Sequence, residues 1–208
     1  EEDNSFESVE TEVWVFDAFV GKKRIGAHMF EVIRARDQIT AKSSASFEYN
    51  VFRIPLLKYE HSVVEIYDSE SCLKSISSET TTNSKQIQVM GEKKGENFLV
   101  TGYNEATFER ACLMPFAYWS PRLRDQTALI NGQTGKMTPI SIQSVDSADN
   151  EKNYVLSGKD LNIELTYSSE DKWTGLQTKL PLGRTLKYAL VSYQRSAPEL
   201  VSLNINHN

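Results

Sequence analysis

Phe116, Tyr118, Trp119, Arg122 and Arg124 fall within one stretch, Pro115 to Ile140, which runs PFAYWSPRLRDQTALINGQTGKMTPI. Aromatic rings can line the mouth of a cavity and hold an apolar ligand, and an arginine can meet a carboxylate or phosphate head group. Ser120 is a favoured helix N-cap and Pro121 suits the first helical position. The two arginines therefore sit near a predicted helix N-terminus, where the macrodipole also favours an anion. A structural reading competes with this one. The three aromatics would be a core plug that anchors the helix on the inner face of a curved sheet, and the arginines would be its solvated first turn. One arginine pair is a weak motif, so the plug is the plainer reading.

Other chemistry has little support. The histidines are His28, His61 and His207, with no HExxH, HxH or His-Cys cluster, so a metal site is not expected. Each reads as an exposed or locally satisfied side chain. GxSxG is absent, and nothing recommends Cys112 with His28 or His61 as a nucleophile pair. GxGxxG and the P-loop pattern are absent too, so no nucleotide cofactor is expected. The pairs Glu10/Glu12 and Glu105/Glu109 read as solvated acids. Cys72 and Cys112 fit no zinc spacing. They are either a disulfide or two buried thiols.

The elements that must position these residues are mostly strands. Thr11–Phe19 and Arg24–Arg34 form a predicted hairpin around Gly21. Trp14 and Phe16 lie on one face of it, with Val13, Val15 and Phe19 on the other. Further strands are expected over 39–49, 58–68, 73–82, 85–93, 96–103, 140–145, 153–156, 161–167, 176–180 and 184–193. Residues 51–57, with Pro55, form an edge strand or bend. Small residues (Ser43, Ser44, Ala45, Ser46) mark the third strand. The period changes at 104–114, a short helix or loop in which Phe108, Ala111 and Cys112 have helical spacing. A clearer helix runs from Ser120 to Asn131-Gly132, with Leu123, Thr127 and Ile130 on one side. Residues 169–175 form a loop that holds Trp173. The expected fold class is mainly β: a single curved antiparallel sheet, half-barrel or barrel, of about ten strands with one or two short helices. It forms one domain over 1–208, with 1–10 flexible and 198–208 frayed or holding a last strand at Val201, Leu203 and Ile205.

The chain has 208 residues, 39% hydrophobic, and a net charge of −5. That length can bury a full core. The acidic balance argues against nucleic acid as a partner, and no apolar run is long enough to span a membrane as a helix. The chain opens on EEDNSFESVE, without Met or leader, and reads as a mature exported protein or a trimmed product.

Three pieces together resemble an uncharacterised family of exported bacterial β-proteins, a domain of unknown function. They are WVFDAFVGKKRIGAHMFEV, YEHSVVEIYDSESCLKSISSETTTN and FAYWSPRLRDQTALINGQTGKMTPI. In the last, that family reads like YWNP, a leucine-rich helix and a TQTGK-like turn. Ser120 stands where Asn is expected and Gly132 where a polar residue is. The likeness covers Trp14 to Ile140 and implies an envelope location, but it carries no catalytic residue. By fold-level analogy the order of elements is similar to periplasmic lipoprotein carriers, whose curved sheet holds a hydrophobic cavity under helical lids. The expected function is a periplasmic, non-enzymatic carrier of a lipid or other hydrophobic molecule, with Phe116, Tyr118, Trp119, Arg122 and Arg124 at the ligand. Alternatives are an enzyme or accessory acting on envelope lipids, with His28, His61, Tyr118 or Arg122 converging, and a structural partner of an envelope protein.

Overall fold

A computed structural model describes residues 6–51, 54–110, 112–147, 150–180, 183–196 and 199–202. Ala111, Leu203, Ile205 and His207 lie outside the described residues, as do 1–5 of the expected flexible N-terminus and 52–53 of the expected edge segment.

The strands are β1 (Phe6–Val20), β2 (Lys23–Arg34), β3 (Gln38–Val51), β4 (Ile54–Asp68), β5 (Leu73–Thr82), β6 (Lys85–Lys94), β7 (Asn97–Gly102) and β8 (Ala106–Glu109), then β9 (Ala128–Ile130), β10 (Met137–Val145), β11 (Lys152–Gly158), β12 (Leu161–Tyr167), β13 (Trp173–Lys179), β14 (Thr185–Arg195) and β15 (Glu199–Ser202). Each neighbouring pair is antiparallel. The order is β8-β7-β6-β5-β4-β3-β2-β1-β14-β13-β12-β11-β10-β9, and β15 pairs with the start of β1. Two meanders thus meet where β14 joins β1. Among the described residues, fourteen strands follow one path rather than about ten. The difference comes from short strands with little alternation to read: β8 has four residues and β9 three.

The sheet does not close into a barrel, because β8 and β9 do not pair with each other. Residues 112–127 run between these edges instead, and this crossing segment covers the β9 edge, where Pro115 bridges Ile130. Leu73 N–H donates to Leu113 O at 2.9 Å, and Ile130 N–H donates to Met114 O at 3.0 Å. The Cys72–Cys112 disulfide ties the start of the segment to the entry of β5.

The expected helices are not formed. Residues 104–110 hold β8, and after Ser120 there is only a 3-10 turn, Pro121–Asp125. Ser120 makes no capping hydrogen bond, and Gln126 is already extended (φ −86°, ψ 144°). The residues read as a helix face do bury, but as a turn (Leu123) and a strand (Leu129, Ile130). Short apolar runs cannot distinguish these by period. Trp173, expected in a loop, starts β13 and is 1% exposed.

One face of the sheet is the core. Inward side chains run in register across strands: Trp14, Phe30, Ser43, Val63 and Ser78 in one row, and Phe16, His28, Ala45, His61 and Thr80 in the next. The opposite face is not a second core. Val13, Val15 and Phe19 are only half-buried there, and Met29, Val64, Met90 and Val191 are exposed among polar neighbours. The second apolar face of the hairpin, Val13, Val15 and Phe19, thus carries no core of its own.

The turn between β9 and β10 plugs the open end against β5 to β7. Ser78 Oγ donates to Gly132 O, and Asn104 Nδ2 donates to Thr134 O. Gly135 has φ +71°, and a Cβ there would lie 2.6 Å from Val100 Cγ1. Gly135→Ala therefore meets both a left-handed backbone penalty of about 1–2 kcal/mol and a clash. Gly95 has φ +61° in open space, so Gly95→Ala meets the first alone. Urea unfolding is expected to place Gly135→Ala below Gly95→Ala in stability by about 1 kcal/mol or more. Equal losses would mean that the turn is not packed on β7.

Candidate functional site

β3 explains where space is left inside. Its inward residues Ala41, Ser43 and Ala45 are small, while their register neighbours are large: Val32 and Glu65, Phe30 and Val63, His28 and His61. A column of small side chains between two taller ones leaves a trough. The crossing segment roofs it, and β12 to β14 supply the far wall. Strands β4 and β12 are six steps apart along the sheet, roughly 29 Å if it were flat. Yet Val63 of β4 and Ile163 of β12 line the same cavity of about 290 Å³. The sheet must therefore curl strongly about this trough.

The roof is aromatic. Phe116, Tyr118 and Trp119 all line the cavity. Trp119 meets Tyr67 edge-on at 5.5 Å, and Tyr118 lies 5.2 Å from Trp173. The Tyr167 hydroxyl donates to Tyr118 O at 2.8 Å, which pins the roof to β12. These residues both plug the core and line the space, so the two sequence readings are not exclusive for them. Gln133 is exposed at the rim, and its Nε2 donates to the Tyr59 hydroxyl at 2.8 Å, linking roof and sheet.

The arginines lie elsewhere. Arg122 is exposed and Arg124 is turned towards β11 and β12. Arg124 sits over the rings of Tyr154 and Tyr167 at 5.0 and 5.3 Å and pairs with Asp171 at 2.9 Å. Neither lines the cavity. In these positions they do not face a ligand held in this cavity. The expected helix end that would have aimed them is missing.

In their place are two histidines that the sequence offered only for the enzyme alternative, and Glu65, which it did not single out. His28 and His61 both face in, two strands apart, with only Ala45 between them. His28 stacks on Phe30 at 4.0 Å, and its Nδ1 is hydrogen-bonded to the Tyr188 hydroxyl at 3.1 Å. Its Nε2 is buried with no partner. His61 Nδ1 lies 2.8 Å from Thr80 Oγ1. Burial, and secondarily the neighbouring His61, push His28 down to about 3, and burial also lowers His61. Both are held as neutral imidazoles near neutral pH. Glu65 lines the other end of the cavity and accepts from the Tyr67 hydroxyl. Burial pushes its carboxyl up to about 7, against the Tyr67 bond. Of the four side chains expected to converge in an enzyme, His28, His61 and Tyr118 share the cavity and Arg122 does not. Among the described residues no three of His, Cys, Asp or Glu gather as metal ligands.

These shifts act on stability in opposite directions. The unfolded chain protonates His28 near 6.5 and the folded one near 3. Stability from this group is complete above pH 6.5 and is lost as pH falls towards 3, by roughly 5 kcal/mol in all. Glu65 takes up its proton near 7 when folded and near 4.5 when unfolded. It costs stability as pH rises from 4.5 to 7, by about 3 kcal/mol. Glu65→Gln is therefore expected to gain about 3 kcal/mol over the parent at pH 8 and nothing at pH 4, measured by denaturant unfolding. His28→Phe should flatten the loss between pH 6 and 3. A parent and a Glu65→Gln variant that stay parallel from pH 4 to 8 would contradict the buried carboxyl.

The inward histidines were partly legible. Both alternate with apolar residues, as in His28/Phe30/Val32, and the Ala/Ser column of β3 marks unfilled space. Which strands come together was not legible.

Comparison with curated proteins finds none that matches. The family described as a domain of unknown function, DUF6134, matches residues 16–191, from the inward Phe16 of β1 through the roof to β14, and the chain belongs to that family.

Proposed function

We propose that this protein is a periplasmic, non-enzymatic binding protein whose concave sheet holds one small hydrophobic molecule beneath the crossing segment. The observation that carries this reading is the cavity itself. It is about 290 Å³, walled by Phe30, Val63, Trp119, Ile163 and Leu176, and left open by small residues on β3. Its volume lies at the low end for ligand pockets, which suits a compact ring system or a single short chain, not a multi-chain lipid. The Cys72–Cys112 disulfide is consistent with an oxidising compartment such as the periplasm.

A second reading, an enzyme acting on envelope lipids, is favoured by one observation: His28, His61, Tyr118 and Glu65 share the cavity. Its weakness is geometric and acid–base. His28 near 3 is a poor base at neutral pH. Glu65 is better poised, but it lies four residues along β4 from His61, roughly 13 Å, too far for a relay. No serine or cysteine is hydrogen-bonded to either imidazole among the described residues. Binding is the stronger reading.

Titration with N-phenyl-1-naphthylamine tests it. A saturable rise in fluorescence at one site per chain is expected. An unchanged signal up to the solubility limit of the probe would sink the carrier reading.

A further inference from the structure

The polar atoms around the cavity restrict what its occupant can be, given the binding reading above. We infer that the occupant is an uncharged amphiphile: a compact apolar body bearing one hydroxyl or carbonyl oxygen, which hydrogen-bonds His28 Nε2.

The first ground is the unmet atom. His28 lines the cavity, its Nε2 is buried without a partner while Nδ1 is fixed by Tyr188, and the ring packs among Phe30, Phe47 and Tyr188. A ligand oxygen therefore reaches Nε2 only when the side chains covering it give way. A buried polar atom left unpaired is costly, so a partner arriving with a ligand is worth more here than on a surface. A neutral imidazole offers Nε2 as donor or as acceptor, according to its tautomer. A hydroxyl can meet either, and a carbonyl can meet the donor form.

The second ground is the lack of a free cation on the lining among the described residues. Lys42 borders the cavity through its backbone; its side chain points to the convex face and pairs with Glu31 at 3.4 Å. Arg34 lies over the Trp119 ring without lining the cavity and is held by Glu12 at 3.1 Å. Arg124 is held by Asp171. A carboxylate or phosphate entering here would lose its water and find no fixed positive charge, and buried unpaired charge is strongly penalised. Protonating His28 to receive it runs against the burial that keeps that ring neutral.

The third ground concerns cations. Glu65 is the carboxyl on the lining, and its hydrogen bond from Tyr67 already occupies one oxygen. Burial pushes it up to about 7, so at pH 6 it is mostly the neutral acid. An amine would have to ionise it in a dry site.

The test is calorimetric titration at pH 6, where Glu65 is mostly neutral, with four probes of one shape: 1-naphthol, naphthalene-1-carboxylate, 1-naphthylmethylamine and 1-methylnaphthalene. 1-Naphthol is expected to bind about ten-fold tighter than each of the others. His28→Phe should bring 1-naphthol down to the level of 1-methylnaphthalene while leaving 1-methylnaphthalene unchanged. That second affinity also reports whether the variant keeps its cavity. If none of the four binds the parent protein, the binding reading itself fails. If the carboxylate or the amine binds as well as 1-naphthol, the cavity stands and the inference of an uncharged head is overturned. Equal binding of 1-naphthol and 1-methylnaphthalene overturns the role of His28.

Discussion

Ser43→Phe is expected to abolish uptake of N-phenyl-1-naphthylamine, weakening it roughly 100-fold, which is about 2.7 kcal/mol. Ser43 faces in between Phe30 and Val63 and is the middle of the small column that opens the trough. A benzyl group there grows into empty space, so the usual cost of overpacking a filled core, about 1–3 kcal/mol, is largely avoided. The variant should unfold at a denaturant midpoint near that of the parent. Ser44→Phe is the control, because the next residue along β3 is exposed on the convex face. It should bind the probe normally. If Ser43→Phe binds as well as Ser44→Phe, the probe is not in the trough.

Loss of the disulfide should lower stability strongly at neutral pH. Cys72 and Cys112 are 40 residues apart in sequence, and in the chain-entropy picture a loop of that size is worth about 4 kcal/mol. The bond also sits where the roof leaves the sheet, beside the Leu73–Leu113 hydrogen bond. Cys72→Ala with Cys112→Ala should therefore lower the unfolding free energy by about 3–4 kcal/mol. It should also speed amide hydrogen exchange at Leu113 and Met114 more than in β1 and β2, since local opening draws on the least anchored segments. Equal stability of the oxidised and reduced parent protein would contradict the bond as an anchor.

Much of the fold was legible because alternation is a strong signal in long strands. The hairpin of β1 and β2 and the span of β5 and β12 follow directly from the pattern of apolar residues and from turn residues such as Gly21 and Asn83. The failures have a common physical origin. Residues 113–120 are buried or half-buried at every position, so neither a period of 2 nor of 3.6 is imposed on them. Ala128, Leu129 and Ile130 are all buried in consecutive positions, which mimics a helix face. Ser120-Pro121 is a sound helix start, but here it begins a single 3-10 turn that the extended Gln126 stops.

The site was legible only in part. Phe116, Tyr118 and Trp119 stand out as an aromatic cluster, and they do form the roof. Arg122 and Arg124 stand out equally, but Arg122 is exposed and Arg124 is held by Asp171 of the β12–β13 turn and Tyr154 of β11, which local sequence cannot show. His28 and His61 looked bland because each is isolated in sequence. Their meeting over Ala45 depends on the register of β2, β3 and β4, and that register is a tertiary fact.

The most direct test of the central claim is the imidazole region of a proton–nitrogen correlation spectrum during titration with 1-naphthol. The chain has three histidines, so the signals are few and can be assigned with His28→Phe and a His61 variant. The expected result is that the His28 and His61 signals shift together and saturate at one equivalent, with His28 the larger. Binding that leaves both signals in place would put the ligand outside the trough and contradict a site beneath the roof of Phe116, Tyr118 and Trp119.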